Sequence, residues 1–180
     1  MQFHLSLLLR ATSGILRAYF GHTSGKDYRP DSDLRPKKAM HAIQKYCLEK
    51  KLKFTPLRRK VFEFLLRGPK PLGAYEVLDL LRQEGFASTP PIAYRVLDFL
   101  VAQGFVHRIQ GLNAFVACSH PGSSHSPAFM ICRKCEKVAE ISEKDSQINF
   151  SKSSGYDFIV EKTTVEILGV CISCNSLETA

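Results

Sequence analysis

Ser88-Thr89-Pro90-Pro91-Ile92-Ala93-Tyr94-Arg95-Val96-Leu97-Asp98-Phe99-Leu100, closed by Gly104, is the stretch whose reading decides the fold. Cap residues precede two prolines, whose missing N–H groups cost nothing in a first helical turn. Ile92, Val96, Phe99 and Leu100 then recur at helical spacing and form an apolar stripe. Tyr94, Arg95 and Asp98 fall largely off that stripe.

Downstream lie two β-prone runs, Phe105 to Ile109 and Ala114 to Cys118, around Gly111-Leu112-Asn113, a hairpin signal. Upstream, Ala74 to Glu84 reads as a helix with Val77, Leu78, Leu80 and Leu81 facing inward, ended by Gly85. Before it, Thr55 is a good N-cap and Pro56 suits the first helical position. Leu57, Val61, Phe64 and Leu65 follow at helical spacing, and Gly68-Pro69 stops the run. A further helical pattern covers Lys37 to Lys51, with Ala39, Ala42, Ile43, Tyr46 and Cys47 on one side.

Three helices followed by a hairpin is the winged-helix plan, a relative of helix-turn-helix, in which the last helix enters the major groove. On that plan Tyr75 and Arg95 are the side chains aimed at DNA, because Arg forks two hydrogen bonds to a guanine edge. Lys and Arg near Thr55 meet phosphates. Thr55, Arg58 and Tyr94 complete the DNA-facing set.

The distribution of charge agrees. The 180 residues carry a net +8, but residues 1–115 hold 19 Lys+Arg against 9 Asp+Glu, whereas residues 116–180 hold 6 against 8. A basic half is therefore joined to a mildly acidic one, and a basic surface favours polyanions. The 44% apolar content excludes wholesale disorder. The longest apolar candidate near the start, Leu5 to Leu9, falls well short of the roughly 18 residues of a membrane span. Residues 1–39 fit nothing downstream. They lack Asp and Glu before Asp27, carry Arg10 and Arg17, and continue into a Gly-, Ser- and Pro-rich connector from Gly21 to Pro36. They read as a disordered or non-native leader, with Met40 a candidate start.

Cysteine is skewed towards the acidic half. Cys132-Arg133-Lys134-Cys135 and Cys171-Ile172-Ser173-Cys174 are two C-x2-C knuckles with 35 residues between them. Two such knuckles build a closed tetrahedral sulfur site that suits structural zinc. No convincing secretory signal is present, and close cysteine pairs in a reducing compartment, the cytoplasm, favour metal over disulfides. Lys137 to Ser142, Tyr156 to Val160 and Thr163 to Leu168 read as strands, with a short helix near Ser142 to Ser153. A second group lies around the hinge: His107, Cys118, His120, His125 and Glu140. A zinc site of mixed N, S and O donors can be drawn from these five. No hydrolase, deaminase or nucleophile-elbow motif is present, so no catalytic residues and no small-molecule substrate are expected.

Phe54-Thr55-Pro56-Leu57-Arg58, Ala74-Tyr75, Pro90 to Leu100, Gly104-Phe105-Val106-His107 and the paired knuckles together resemble the ferric uptake regulator family, and most of all its zinc uptake regulator branch. The resemblance covers about Met40 to Cys174. It implies an α+β chain: an N-terminal winged-helix DNA-binding domain, residues 40–118, followed by a small α/β dimerisation domain, residues 119–180, that binds zinc.

It further implies two Zn²⁺ per subunit: a structural ion on Cys132, Cys135, Cys171 and Cys174, and a regulatory ion on His107, Cys118, His125 and Glu140. The expected partners are double-stranded operator DNA and a second copy of the chain, with no membrane. The expected activity is zinc-dependent repression of zinc uptake genes. Two departures stand out. Ile92 occupies a position where family members commonly have Thr, and of the His-rich run carried by iron, manganese and peroxide sensors only His125 remains, with Phe129 in a ligand's place. The second departure, together with the thiolate of Cys118, favours zinc over the harder ions. A zinc-ribbon interaction module that does not bind DNA is the other reading of the knuckles.

Overall fold

The computed structural model describes residues 34–68, 70–119, 121, 125–141, 161 and 163–176. The leader, the helix expected near Ser142 to Ser153, the strand expected over Tyr156 to Val160 and the spare candidate His120 lie outside those residues.

Four helices and a three-stranded sheet make the first half: α1 (Leu34–Glu49), α2 (Pro56–Arg67), β1 (Leu72–Gly73), α3 (Ala74–Gln83), α4 (Pro90–Ala102), β2 (Val106–Ile109) and β3 (Ala114–Ala117). The helix ends follow local chemistry. Thr55 caps α2, its hydroxyl accepting from the Arg58 N–H at 3.3 Å, and Pro56 takes the first position. Glu76 reaches back to accept from the Gly73 N–H at 2.7 Å and so begins α3. Gly85 and Gly104, at φ +79° and +72°, take the left-handed conformation that ends α3 and α4 without strain.

Three details differ from the periodic reading. α1 starts at Leu34, ahead of Met40, and Ala39 is buried in the core, so the first helix reaches into the segment read as leader. Along α4 the buried set is Ala93, Val96, Leu97 and Leu100, with Ile92 and Phe99 only partly covered. The helix is rotated so that the outer face of Phe99 carries the Arg58 guanidinium, 3.5 Å from the ring centroid. In α2 the same effect buries Phe62, which the expected stripe omits, beside Val61 and Leu65.

The core of this half joins Ile43, Val61, Phe62, Val77, Leu81, Leu97, Leu100 and Phe105. Phe105 receives the edges of Tyr46 and Phe62, with centroids 5.3 and 6.0 Å away. β3 pairs antiparallel with both β1 and β2, and Asn113 at φ +47° closes the β2–β3 turn.

The second half is a sheet of order β5-β4-β6, built from β4 (Ala128–Cys132), β5 (Val138–Ile141) and β6 (Val165–Gly169), with a short α5 (Ile172–Asn175) after it. β4 pairs antiparallel with β5 and parallel with β6. The central strand β4 was not among the expected elements. Its run Ala128-Phe129-Met130-Ile131-Cys132 is apolar throughout and buried except for half-buried Met130, so both faces of the strand are covered and there is no alternation to read. The two halves meet where Ile109 packs with Phe129 and Ile131, flanked by Leu112, Val116 and Val138. Among the described residues no helix is long and apolar enough to cross a membrane.

Candidate functional site

Two clusters of donor atoms stand out. Cys132, Cys135, Cys171 and Cys174 place their sulfurs within 4.8 Å of one another, and all are free thiols. The first knuckle is shaped by β4 and β5: Cys132 N–H donates to the Lys137 carbonyl at 3.0 Å, and Glu136 adopts φ +57° to close the turn. The second begins α5, where the Cys171 carbonyl accepts from Cys174 and Asn175. The parallel β4–β6 pair carries the two knuckles together: Cys132 is registered with Gly169, and Arg133 N–H donates to the Gly169 carbonyl at 2.9 Å.

A tetrahedral sulfur site with bonds of about 2.3 Å has S···S edges of about 3.8 Å. Cys135 and Cys171 already stand 3.7 Å apart. The donor set therefore fits Zn²⁺ in both chemistry and spacing.

The thiols differ in their readiness to ionise. Burial pushes Cys132 up, but N–H bonds from the backbone of Cys171, Cys135 and Lys134 outweigh it and bring the thiol down to about 6. Burial holds Cys135 above its ordinary value. Side-chain hydrogen bonds to Cys171 and Cys135 push Cys174 up to about 12. One thiolate is thus ready at neutral pH, while at least two protons must leave before all four sulfurs can bind a metal.

The second cluster is His107, Cys118, His125 and Glu140, again with one donor atom each within 4.8 Å. His107 projects from β2, Cys118 follows β3, His125 lies in the link to β4, and Glu140 is on β5. Glu140 is the hub. Its side chain is 3% exposed, with Oε1 2.9 Å from His125 Nε2, 3.7 Å from His107 Nε2 and 4.0 Å from Cys118 Sγ. Its other oxygen accepts from the Ser119 N–H at 2.7 Å. Cys118 Sγ lies 3.6 Å from His125 Nε2, and the His107 ring rests against His125 and Phe129. Edges of roughly 3.3–3.8 Å are expected around a zinc ion with N, O and S donors. The observed distances bracket that range, so these residues also fit the metal.

Phe129 fills the position where other metal sensors were expected to place a ligand. It is fully buried, with its ring 5.4 Å from that of His107, and acts as an apolar wall of the site.

The expected DNA-facing residues lie at the start of α2 and on α3 and α4 of the first half. Tyr75 is 65% exposed at the start of α3, and Tyr94 and Arg95 are exposed on the first turns of α4. Arg58 is spread over Phe99 and also donates to the Lys53 carbonyl, so packing fixes its position between α2 and α4. Thr55 is engaged as the α2 cap. Ile92 is half-buried, and the cap residue Thr89 makes no side-chain cap bond.

The family model described as "Ferric uptake regulator family" matches residues 49–168. The zinc uptake regulation protein of Escherichia coli strain K12 is 32% identical over 137 residues, 75% of this chain and 80% of that protein. Its Shigella flexneri counterpart matches to the same extent. Among solved structures, a zinc uptake regulator complexed with zinc and DNA is similar, with a TM-score of 0.74 and 30% identity, covering 81% of this chain and 98% of the other. Holo XcZur is similar too, with a TM-score of 0.68 and 38% identity, covering 77% of this chain and 98% of the other. Sequence and architecture agree, and the chain belongs to the ferric uptake regulator family.

Proposed function

We propose that this chain is a zinc-responsive transcriptional repressor that binds operator DNA as a homodimer, acts in the cytoplasm and controls zinc uptake genes. The observation that carries the reading is the second cluster. His107 comes from the winged-helix half and Glu140 from the β5 sheet, so one set of donors spans both halves. The likeness to a zinc uptake regulator complexed with zinc and DNA supports the choice of metal and of partner. The thiol of Cys118 supports zinc over iron or manganese.

In this reading residues 40–118, extended by the start of α1, are the reader, and residues 119–180 dimerise. Zn²⁺, when bound, supplies a centre with tetrahedral preference to each cluster, two ions per subunit. Cys132, Cys135, Cys171 and Cys174 hold the second half together. His107, Cys118, His125 and Glu140 set the angle between the halves. That angle decides whether the two α4 helices of a dimer match two half-sites, and a ligand shifts the balance only by favouring one arrangement. Arg95 forks to a guanine edge and Tyr75 reads beside it. Thr55, Arg58 and Tyr94 meet the backbone phosphates. The chain binds and orients, and no residue is assigned a catalytic role.

Zinc titration of operator binding, wild type beside Cys118→Ser, tests this reading. Wild type should bind DNA more tightly as zinc rises, whereas Cys118→Ser should stay dimeric, keep its four-thiol zinc and lose the zinc response. An unchanged response in Cys118→Ser would remove the cluster from the mechanism.

A further inference from the structure

Strand β2 lies across a row of three residues in the second sheet. Phe129 is registered with Glu140 on one side and with Glu166 on the other. Registered neighbours present their side chains on one face of a sheet. All three meet the reader. Glu140 lies beside His107 at 3.7 Å, and Phe129 packs with Ile109. Glu166, which belongs to neither metal cluster, accepts from the Gln110 N–H at 2.6 Å and the Gly111 N–H at 2.9 Å. His107, Ile109, Gln110 and Gly111 follow one another along β2 and into the wing turn. The metal cluster therefore holds one end of β2 and Glu166 holds the other.

We propose that Glu166 is a positioning residue. Its carboxylate captures the wing turn and fixes the angle of the wing to the second half, so that metal at the His107 site and capture of the wing reinforce each other. This rests on the reading of that site as the zinc sensor. Bonds from two adjacent N–H groups to one carboxylate are charge-assisted and resist rotation of the turn. They are exposed to water, which keeps the latch weak enough to open when β2 is not held at its other end. At Gly111 the approach is close: a Cβ there would stand 3.1 Å from Glu166 Oε2, and the carboxylate would have to give way slightly.

The test uses the full chain with its four-thiol zinc in place, in Glu166→Gln and Glu166→Ala forms. Amide exchange at Gln110 and Gly111 should slow when wild type takes up zinc at the second site and should be faster in both variants. Operator affinity of zinc-loaded Glu166→Ala should fall about five- to tenfold, with Glu166→Gln between it and wild type. Affinity without second-site zinc should be unchanged, whereas a merely structural role would lower both. By reciprocity, the factor by which operator DNA tightens second-site zinc binding should shrink to the same extent. Wild-type affinities in Glu166→Ala, or equal losses with and without zinc, overturn the proposal. If wild type itself shows no zinc-dependent operator binding, the sensor reading fails. Amide exchange at Gln110 and Gly111 then still decides whether Glu166 holds the wing, and no slowing with zinc overturns the latch.

Discussion

Stripping zinc from the four-thiol cluster should unfold the second half while leaving the reader folded. The reader buries a long list of apolar side chains in one cluster, including Ile43, Phe62, Leu97, Leu100 and Phe105. Among the described residues the second sheet's largest buried side chains are Phe129, Ile131 and Ile141. At about 1.5–3 kcal/mol for each large apolar side chain, those three contribute about 5–9 kcal/mol. Ordering the fourteen residues of β4, β5 and β6 costs about 14–28 kcal/mol of backbone entropy. The shortfall of about 5–23 kcal/mol is of the size that zinc on such a site supplies, about 10–16 kcal/mol.

Trypsin is a direct assay, because Arg133, Lys134 and Lys137 lie in and beside the first knuckle. After chelation under reducing conditions, or in Cys132→Ser, cleavage there should become fast. Cleavage at Arg67 and Arg82 in α2 and α3 should stay slow. Metal analysis confirms the zinc loss, and calorimetry should show the reader's transition surviving. A zinc-free protein that stayed protected at Lys134 and Lys137 would refute the reasoning, since burial alone would then hold the sheet.

Three further outcomes follow from the same structure. Zinc uptake by the four-thiol site at pH 7 should release at least two protons, because Cys135 is held above its ordinary value and Cys174 is near 12. Calorimetric titration in two buffers of different ionisation enthalpy measures the number, and a value below one contradicts the assigned protonation states. Arg95→Ala should weaken operator binding by about 1–3 kcal/mol and relax specificity at one base, read by band shifts on a set of substituted operators. Burial, opposed by the Arg58 charge, raises the Cys47 thiol above its unfolded value, so the folded state prefers the neutral form. The associated stability is fully present below about pH 8.5 and is lost as pH rises through the folded value. Denaturant melts should therefore show stability declining above pH 8.5 in wild type and declining less in Cys47→Ala.

Much of the reader was legible because its signals are local. A cap and proline at Thr55-Pro56, the Pro90-Pro91 start of α4 and the Gly111-Leu112-Asn113 turn each act within a few residues of backbone. The knuckles are equally local, since two intervening residues let both thiolates of a pair reach one ion. Less legible was the rotation of each helix. Leu97 rather than Ile92 is buried in α4, and Phe62 joins the core of α2, because the packing partner decides which edge of an apolar stripe is covered. β4 stayed hidden for a related reason: four of its five residues are buried, so both faces of the strand are covered and no alternation betrays it.

The sequence by itself determined the winged-helix plan, the four-thiol donor set of the paired knuckles and the charge asymmetry between the halves. Each of these is written in residue type and short spacing. Only the tertiary structure decided that His107, Cys118, His125 and Glu140 converge, that Phe129 walls their site, and that Glu166 reaches the wing turn. Those contacts join residues far apart in the chain. Their distances depend on strand register and on how the two sheets meet, and a register shift of one residue turns every side chain to the other face.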